Sequence, residues 1–581
     1  MRIMRNSAIT DALFPGTRQR LLAAWVIRTL KSLAIILCAS TVLLLHTNAQ
    51  AGSGAGPSLV AGGGQAAAHP TATREASTRS PNVLFILTDQ LRFDTIHALG
   101  NTNICTPHLD RLARRGVAFL NAYSQCPVCV PARYTIRTGC EPRTTRVFQN
   151  GWPQVRPGEP PAMTNRCGPY LATVMKQLGY RTFGIGKFHT LPWDEPLGYE
   201  VQLYAEEMHG DADQRRRDAY AAWITSQHPA FDYLEGLVGE RTEMYYEPQR
   251  SPLPAALTIE TWVAEQAAQE IGIQDGRPYF GLVSFVGPHP PFAPPIPFNR
   301  MYDPDRMPNP ISGDPATDHL DEQIPWMNHA VWAEDINPPQ ARILKARYYD
   351  EISYIDHCLG RILDAIEARG DGSNTLICFT SDHGDLLGDH HGWQKECYFE
   401  GACHIPFLLS WPSRIPAGQR RDDLVCQTDL FGIATHAAGQ TQVRQGIDVL
   451  GVIHGESAPR DYLFGYYGEP GTARFKIMVR HGGWKYIFIA NGGREQLFDL
   501  KTDPHELKNL VATRAEVAAP LRARAASCCD RPELQAARDH GRLRSFPFLA
   551  RPLVRIYQFD ASKGVTGGFP KHPEDVLKGA K

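Results

Sequence analysis

The sequence predicts an α/β fold: a large, mostly parallel sheet covered by helices, followed by a smaller antiparallel β subdomain packed with a helix. Three observations predict it. From Pro81 onward, short apolar runs rich in β-branched and aromatic residues alternate with amphipathic helical segments, the order that builds a parallel sheet with helices on its faces. Polar residues with chemical capability recur directly after those runs. Beyond about residue 440 the helical segments thin out, and short strand-like runs follow one another at turn distance.

Taken in order, the first 51 residues read as a signal peptide. Arg2, Arg5, Arg18, Arg20, Arg28 and Lys31 precede the apolar stretch Leu33 to Leu45, and Ala49-Gln50-Ala51 suits cleavage after Ala51. That stretch is shorter than the roughly 20 residues of a spanning helix, so no stable membrane insertion is expected after cleavage. The protein is expected to be exported, to the periplasm or beyond the cell. Residues 52–80, rich in Gly, Ala, Ser and Thr, read as a low-complexity linker without a core. The boundaries that follow are a catalytic domain at 81–440, the antiparallel subdomain at 441–560 and a tail at 561–581.

Asn82-Val-Leu-Phe-Ile-Leu87 predicts a buried strand that delivers Asp89 and Gln90 past its carboxyl end. Thr106-Pro107 supplies an N-cap and first-turn pair for a helix to about Arg115, closed at Gly116. Leu171, Val174, Met175 and Leu178 mark another helix, which ends at Gly179 and leads into a strand around Thr182–Ile185; Lys187 and His189 come directly after it. The strand Tyr279–Phe285 precedes His289. A helix carrying Ile352, Ile355, Leu359, Ile362 and Ile366 precedes the strand Thr375–Phe379, which feeds Asp382 and His383. In open α/β sheets ligands bind beyond the carboxyl ends of strands, so these distant segments are expected to converge on one site. Tyr462–Tyr467, Trp484–Ile489 and Gln496–Leu500 predict the strands of the second sheet, with a turn at Thr502-Asp503-Pro504.

The 60 basic and 61 acidic residues nearly cancel, which excludes a whole-molecule field for nucleic acid or an anionic membrane and makes any anion recognition local. Thirteen cysteines in an exported chain can support some disulfides, with Cys528-Cys529 or Cys397/Cys403 as candidates, but are too sparse to build a scaffold.

Asp89, Gln90, Asp382 and His383 offer two carboxylates, an amide oxygen and an imidazole. Three oxygen donors favour one hard divalent cation, Ca²⁺ first, with Mg²⁺ or Mn²⁺ also open. Arg133, Lys187 and Lys395 supply fixed positive charge for a tetrahedral anion, Arg as a planar fork and Lys as a point charge. His189 and His289 are the candidate proton carriers; His390 and His391 are rivals, and Asp385 and Asp389 candidate acceptors. Cys126-Pro-Val-Cys129 has the spacing of a redox pair or half a zinc site, but zinc needs a second ligand pair at compatible spacing and none is convincing, and redox chemistry leaves Pro131, Arg133 and Gly139 unexplained.

The run Cys129-Val-Pro-Ala-Arg133, continuing to Thr138-Gly139, resembles the signature of type I sulfatases of the alkaline phosphatase superfamily. The resemblance extends over Pro81-Asn-Val-Leu-Phe-Ile-Leu-Thr-Asp89, Leu497-Phe-Asp-Leu500 and Asp503-Pro504-His-Glu506-Leu-Lys-Asn509-Leu510. It implies a large mixed, alkaline phosphatase-like sheet and a hydrolase of sulfate esters, on a sulfated glycan or small-molecule substrate. It further implies that Cys129 is converted by a formylglycine-generating enzyme to formylglycine, the nucleophile, lying beside a metal held by Asp89, Gln90, Asp382 and His383. Arg133 would steady that residue, and Lys187, His189, His289 and Lys395 would surround the sulfate, with His289 or Lys395 assisting the leaving oxygen and His189 the release of sulfate. Gln90 and His383, where many members carry Asp and Asn, resemble members that include phosphonate monoester hydrolases and phosphodiesterases; Lys187-Phe-His189 is the pattern associated with sulfatases. An inactive homologue that binds sulfated glycans is the alternative of another class. Trp152, Trp193, Trp326 and Trp332, with the loop Pro290–Pro295, are candidates for a sugar-stacking rim.

Overall fold

The structure is a computed structural model that describes residues 80–557 apart from 208–211, 232, 234–235 and 237–238. The expected signal peptide at 1–51, all but the last residue of the expected linker and the expected tail at 561–581 lie outside the described residues. Twelve strands build the two main sheets. They are β1 (Asn82–Thr88), β2 (Val117–Tyr123), β3 (Arg181–Gly186), β4 (Val201–Tyr204), β5 (Tyr279–Ser284), β6 (Thr375–Ser381), β7 (Phe407–Ser410), β8 (Gln419–Cys426), β9 (Tyr462–Tyr467), β10 (Lys476–His481), β11 (Trp484–Ile489) and β12 (Arg494–Asp499). The helices that matter here are α1 (Pro107–Arg115), α2 (Cys129–Thr138), α3 (Leu171–Gln177), α4 (Ile259–Gly272), α5 (Pro338–Arg369), α6 (Asp429–Ala437) and α7 (Ala515–Cys528).

The large sheet has the order β4-β3-β5-β1-β6-β7-β2-β8. Its neighbouring pairs are parallel except those made by β7, so the sheet is mixed and mostly parallel, as expected. β1 shows why a continuous apolar run is required at its centre. Leu84 and Ile86 enter the core shared with α1, α4 and α5, while Val83, Phe85 and Leu87 enter the opposite core with α2, α3 and α6. Each such side chain contributes roughly 1.5–3 kcal/mol by leaving water.

Helix ends carry two findings. Thr106 does not cap α1 with its side chain. Asp356 of α5 caps it instead, accepting from the N–H of Leu109 at 2.8 Å and of His108 at 3.2 Å, and Thr106 donates to Asp110 at 3.2 Å. Gly116 follows α1 because a Cβ there would lie 2.1 Å from the carbonyl oxygen of Leu409, so the close approach of β7 demands glycine.

The second sheet has the order β12-β11-β10-β9, antiparallel throughout. One face packs Ile477, Val479, Tyr486 and Phe488 on Ala518, Leu521 and Ala525 of α7. The other face sets Met478, Ile487, Ile489 and Phe498 against Tyr398 and Phe399, in the loop that carries Lys395. Glu506 ties that loop down: its Oε1 lies 2.6 Å from Lys485 Nζ and its Oε2 accepts the N–H of Glu400 at 2.6 Å. A strap over 546–557 then leaves this sheet. Asn491 bonds Leu549 in both directions at 2.9 Å, and the indoles of Trp326 and Trp332 donate to the carbonyls of Pro552 and Tyr557 at 3.1 and 2.6 Å. Every cysteine among the described residues is a free thiol, Cys397, Cys403, Cys528 and Cys529 included, so the disulfides considered above do not form here.

Candidate active site

The loops after β1, β3, β5 and β6 converge with the first residue of α2 beyond the carboxyl edge of the large sheet. Cys129 opens α2 and is fully buried. Its Sγ lies 3.2 Å from His383 Nε2 and 3.8 Å from Asp89 Oδ1. Burial, then the charge of Asp89, pushes this thiol up to about 12.

Arg133, one turn along α2 and also buried, organises the acids. Its Nη2 donates to Asp89 Oδ2 at 2.9 Å and its Nε to Asp382 Oδ2 at 3.0 Å, while Nη1 donates to the Lys187 carbonyl at 2.6 Å and Ser284 Oγ at 2.9 Å. With both outer oxygens held, the inner ones converge on one point. Asp89 Oδ1 and Asp382 Oδ1 lie 3.7 and 3.6 Å from His383 Nε2. His383 Nδ1 faces the Gly384 carbonyl at 3.0 Å, which fixes the proton on Nδ1 and leaves Nε2 as a donor for a metal. Asp89, Cys129, Asp382 and His383 each offer one ligand atom within 4.8 Å of the others, all buried. Two carboxylate oxygens and a free imidazole nitrogen in a buried pocket fit a divalent cation.

Gln90 stands beside this group rather than at its centre. Its φ of 68° turns the side chain between two partners, Nε2 donating to Asp385 at 2.5 Å and Oε1 accepting from Lys395 Nζ at 2.5 Å. Asp385 serves as the acceptor, receiving also the hydroxyl of Tyr246 at 2.8 Å. Lys187 Nζ lies 2.6 Å from Asp89 Oδ2 and pairs with Glu207. The charges of Lys395 and Lys187 each lower the Cys129 thiol, against the larger effect of burial.

His289 is buried, with Nδ1 2.8 Å from the Pro290 carbonyl and Nε2 3.3 Å from the Tyr245 hydroxyl. His189 is half-buried with a φ of 51°, and its Nδ1 has no partner among the described residues. Burial and then the neighbouring charge of Lys187 lower it to about 3. The rivals lie elsewhere: His390 faces Asp318 at 3.1 Å, His391 faces the Gly313 carbonyl at 3.1 Å, and Asp389 pairs with Arg92 at 2.7 Å.

Several contributors escaped the sequence reading. Glu207 pairs with Lys187 and lies 3.5 Å from His289 Nδ1, and Arg241 lies 3.3 Å from the same carboxylate. Tyr557, at the end of the strap, accepts from Arg241 and packs edge-on to Tyr245 at 4.8 Å. Glu206 and Glu207 follow β4, so the strand-end rule would have found them had that four-residue strand been recognised. Trp326 and Trp332 are corrected as rim candidates: Arg551 and Arg555 cover their faces at 3.2 and 3.8 Å, so both hold the strap. Trp152 is exposed, and Trp193 lies under Arg217 at 4.8 Å.

Comparison with known proteins adds the following. A family model described as Sulfatase matches residues 81–439, and one described as N-sulphoglucosamine sulphohydrolase, C-terminal, matches residues 388–527. An arylsulfatase of Clostridium perfringens is 28% identical over 455 residues, 74% of this chain and 90% of that one. A choline-sulfatase of Rhizobium meliloti is 29% identical over 462 residues, covering 75% and 83%. Among solved structures, the phosphonate monoester hydrolase of Agrobacterium radiobacter superposes with a TM-score of 0.64 at 25% identity, covering 77% of this chain and 96% of that one.

Proposed function

The chain belongs to the sulfatase family and is a sulfuric ester hydrolase, and from that premise we propose that Cys129, oxidised to formylglycine, supplies its nucleophile. One observation carries the reading: the first side chain of α2 sits 3.2 Å from His383 Nε2, at the point where the inner oxygens of Asp89 and Asp382 converge. A hydrated aldehyde there has an oxygen at the acids and the imidazole, where a buried thiol offers only a poor nucleophile.

Asp89, Asp382 and His383 would hold the divalent metal, with Gln90 at its edge. When bound, the metal supplies Lewis acidity to the sulfate and lowers the proton affinity of the nucleophilic oxygen. Arg133 orients both acids and the nucleophile. Lys187 and Lys395 hold the sulfate oxygens and offset the charge that grows on them. Lys395 gives a proton to the leaving alcohol oxygen, while His289, kept neutral by burial with its proton on Nδ1 at the Pro290 carbonyl, accepts from Tyr245 at Nε2 and shapes that side of the site. His189, held neutral by burial beside Lys187, takes the proton that releases sulfate and restores the aldehyde. The substrate is a small organic sulfate or a sulfated carbohydrate, and the amino-terminal segment supports an exported, periplasmic or secreted enzyme.

Mass spectrometry of the tryptic peptide ending at Arg133, from a host that carries the modifying enzyme, tests the nucleophile. An aldehyde in place of the thiol is expected, and a thiol throughout active enzyme refutes it. A phosphonate or phosphodiester hydrolase is the second reading, favoured by Gln90 in place of a carboxylate and by the superposition above. Pure enzyme that turns over an aryl phosphonate monoester faster than the matching aryl sulfate would decide for it.

A further inference from the structure

Beside the row formed by Glu207 and His289 lies a cavity of about 100 Å³ bordered by five buried carboxyl groups, Glu206, Glu207, Glu240, Glu260 and Glu351. Three of them have clear commitments. Glu206 accepts the N–H of Phe188 and His189 at 2.7 and 2.9 Å, Glu207 pairs with Lys187, and Glu240 lies 2.9 Å from Arg241. Among the described residues, Glu260 and Glu351 accept only backbone N–H groups, and no cation acts on either. Both reach Gly287: Glu260 accepts its N–H at 3.2 Å, and a Cβ on that glycine would lie 2.7 Å from Glu351 Oε1. Glu351 Oε2 has no partner among the described residues although it is buried, and the charged groups acting on Glu351 are Glu260 and Asp350, both acidic. Two adjacent buried carboxyls without a cation are costly, and burial raises both, Glu260 to about 7.

The rest of the wall decides what kind of cation fits. Tyr220, Tyr233 and Tyr354 line it, but their hydroxyls already donate to the carbonyls of Leu257, Glu206 and Ala255 at 2.8 Å each. They present rings, and Leu253, Val286 and Pro291 add apolar surface. Among the described residues these carboxyls do not converge as a metal-ligating group in the way that Asp89, Cys129, Asp382 and His383 do. Carboxylates combined with aromatic faces suit an organic ammonium. His289 and Glu207, the partner of Lys187, border the same cavity, which places it beside the groups proposed to hold the ester.

We propose that the cavity receives a cationic end of the leaving alcohol, so that the substrate is the sulfate ester of an ammonium-bearing alcohol with Glu351 and Glu260 as its counter-ions. This rests on the sulfatase reading. The whole enzyme is assayed on trimethylammonioethyl sulfate, on its uncharged isostere dimethylbutyl sulfate and on para-nitrophenyl sulfate. The ratio of kcat/KM for the charged ester over the isostere is expected to reach about tenfold or more. Glu351→Gln and Glu260→Gln are each expected to bring that ratio toward one. Inhibition of para-nitrophenyl sulfate turnover by tetramethylammonium against neopentyl alcohol reads the same preference in wild-type enzyme, without dependence on a variant that folds. A wild-type ratio near one, or one unchanged in both folded variants, overturns the idea. So does a ratio near one accompanied by a second bound calcium that Glu351→Gln removes. If only an aryl phosphonate is turned over, the sulfatase reading fails, while the same inhibition measured on that substrate still decides what the cavity binds.

Discussion

Arg133 illustrates how one residue sets a whole constellation. Its fork takes the outer oxygens of Asp89 and Asp382 from two different strand ends, and that directs the inner oxygens at His383. A lysine has the charge without the fork and can satisfy one acid at a time. Arg133→Lys is therefore expected to lower kcat by about 10²–10³ with little change in KM, measured by steady-state hydrolysis of an aryl sulfate on enzyme that keeps its thermal transition. At this scale the sequence was highly legible, because Cys129, Arg133, Asp89, Asp382 and His383 are chemically distinctive and stand at strand ends or in one motif. Glu207, Arg241 and Tyr557 were not, since nothing local marks an acid, a cation or a ring until the fold sets Glu207 at His289, Arg241 at Glu207 and Tyr557 at Arg241 and Tyr245.

Elements were legible where one physical demand dominated. β1, β3, β5 and β6 are apolar on both faces, and α5 repeats its apolar positions over many turns, so pattern alone located them. β8 begins with polar, partly exposed residues at the sheet edge, and α2 contains β-branched residues and Pro131, poor helix formers that only its first-turn position tolerates. The cap of α1 was misread because its partner is 247 residues away. That cap has a pH signature. Burial is the main cause raising Asp356 from 3.8 to about 7, against the two N–H groups that lower it. Between those values the folded state binds more protons than the unfolded one, so this carboxyl makes stability fall as pH rises from about 4 to about 7. Asp356→Asn removes that fall, and the Tm deficit of the variant relative to wild type is expected to shrink across the window in matched thermal melts.

The molecule as a whole uses its second sheet as a buttress: β10 and β11 press on the loop of Lys395, while Glu506 and Lys485 tie that loop at its far end. Convergence of separate strand ends was predictable from topology. The strap was not, because an irregular segment has no periodicity to read. Chelation is expected to abolish turnover and calcium to restore it, followed by activity and by metal content of the chelated enzyme. Ending the chain after Ser545 is expected to lower kcat/KM severalfold while leaving the main thermal transition in place, since the deletion removes Tyr557 from Arg241 and Tyr245 but few core side chains. The strap is also the last part of the site to be synthesised among the described residues. Cys129 leaves the ribosome more than 400 residues before Tyr557 does, so throughout most of synthesis the nascent chain carries Cys129 without the ring that packs on Tyr245 and bonds Arg241.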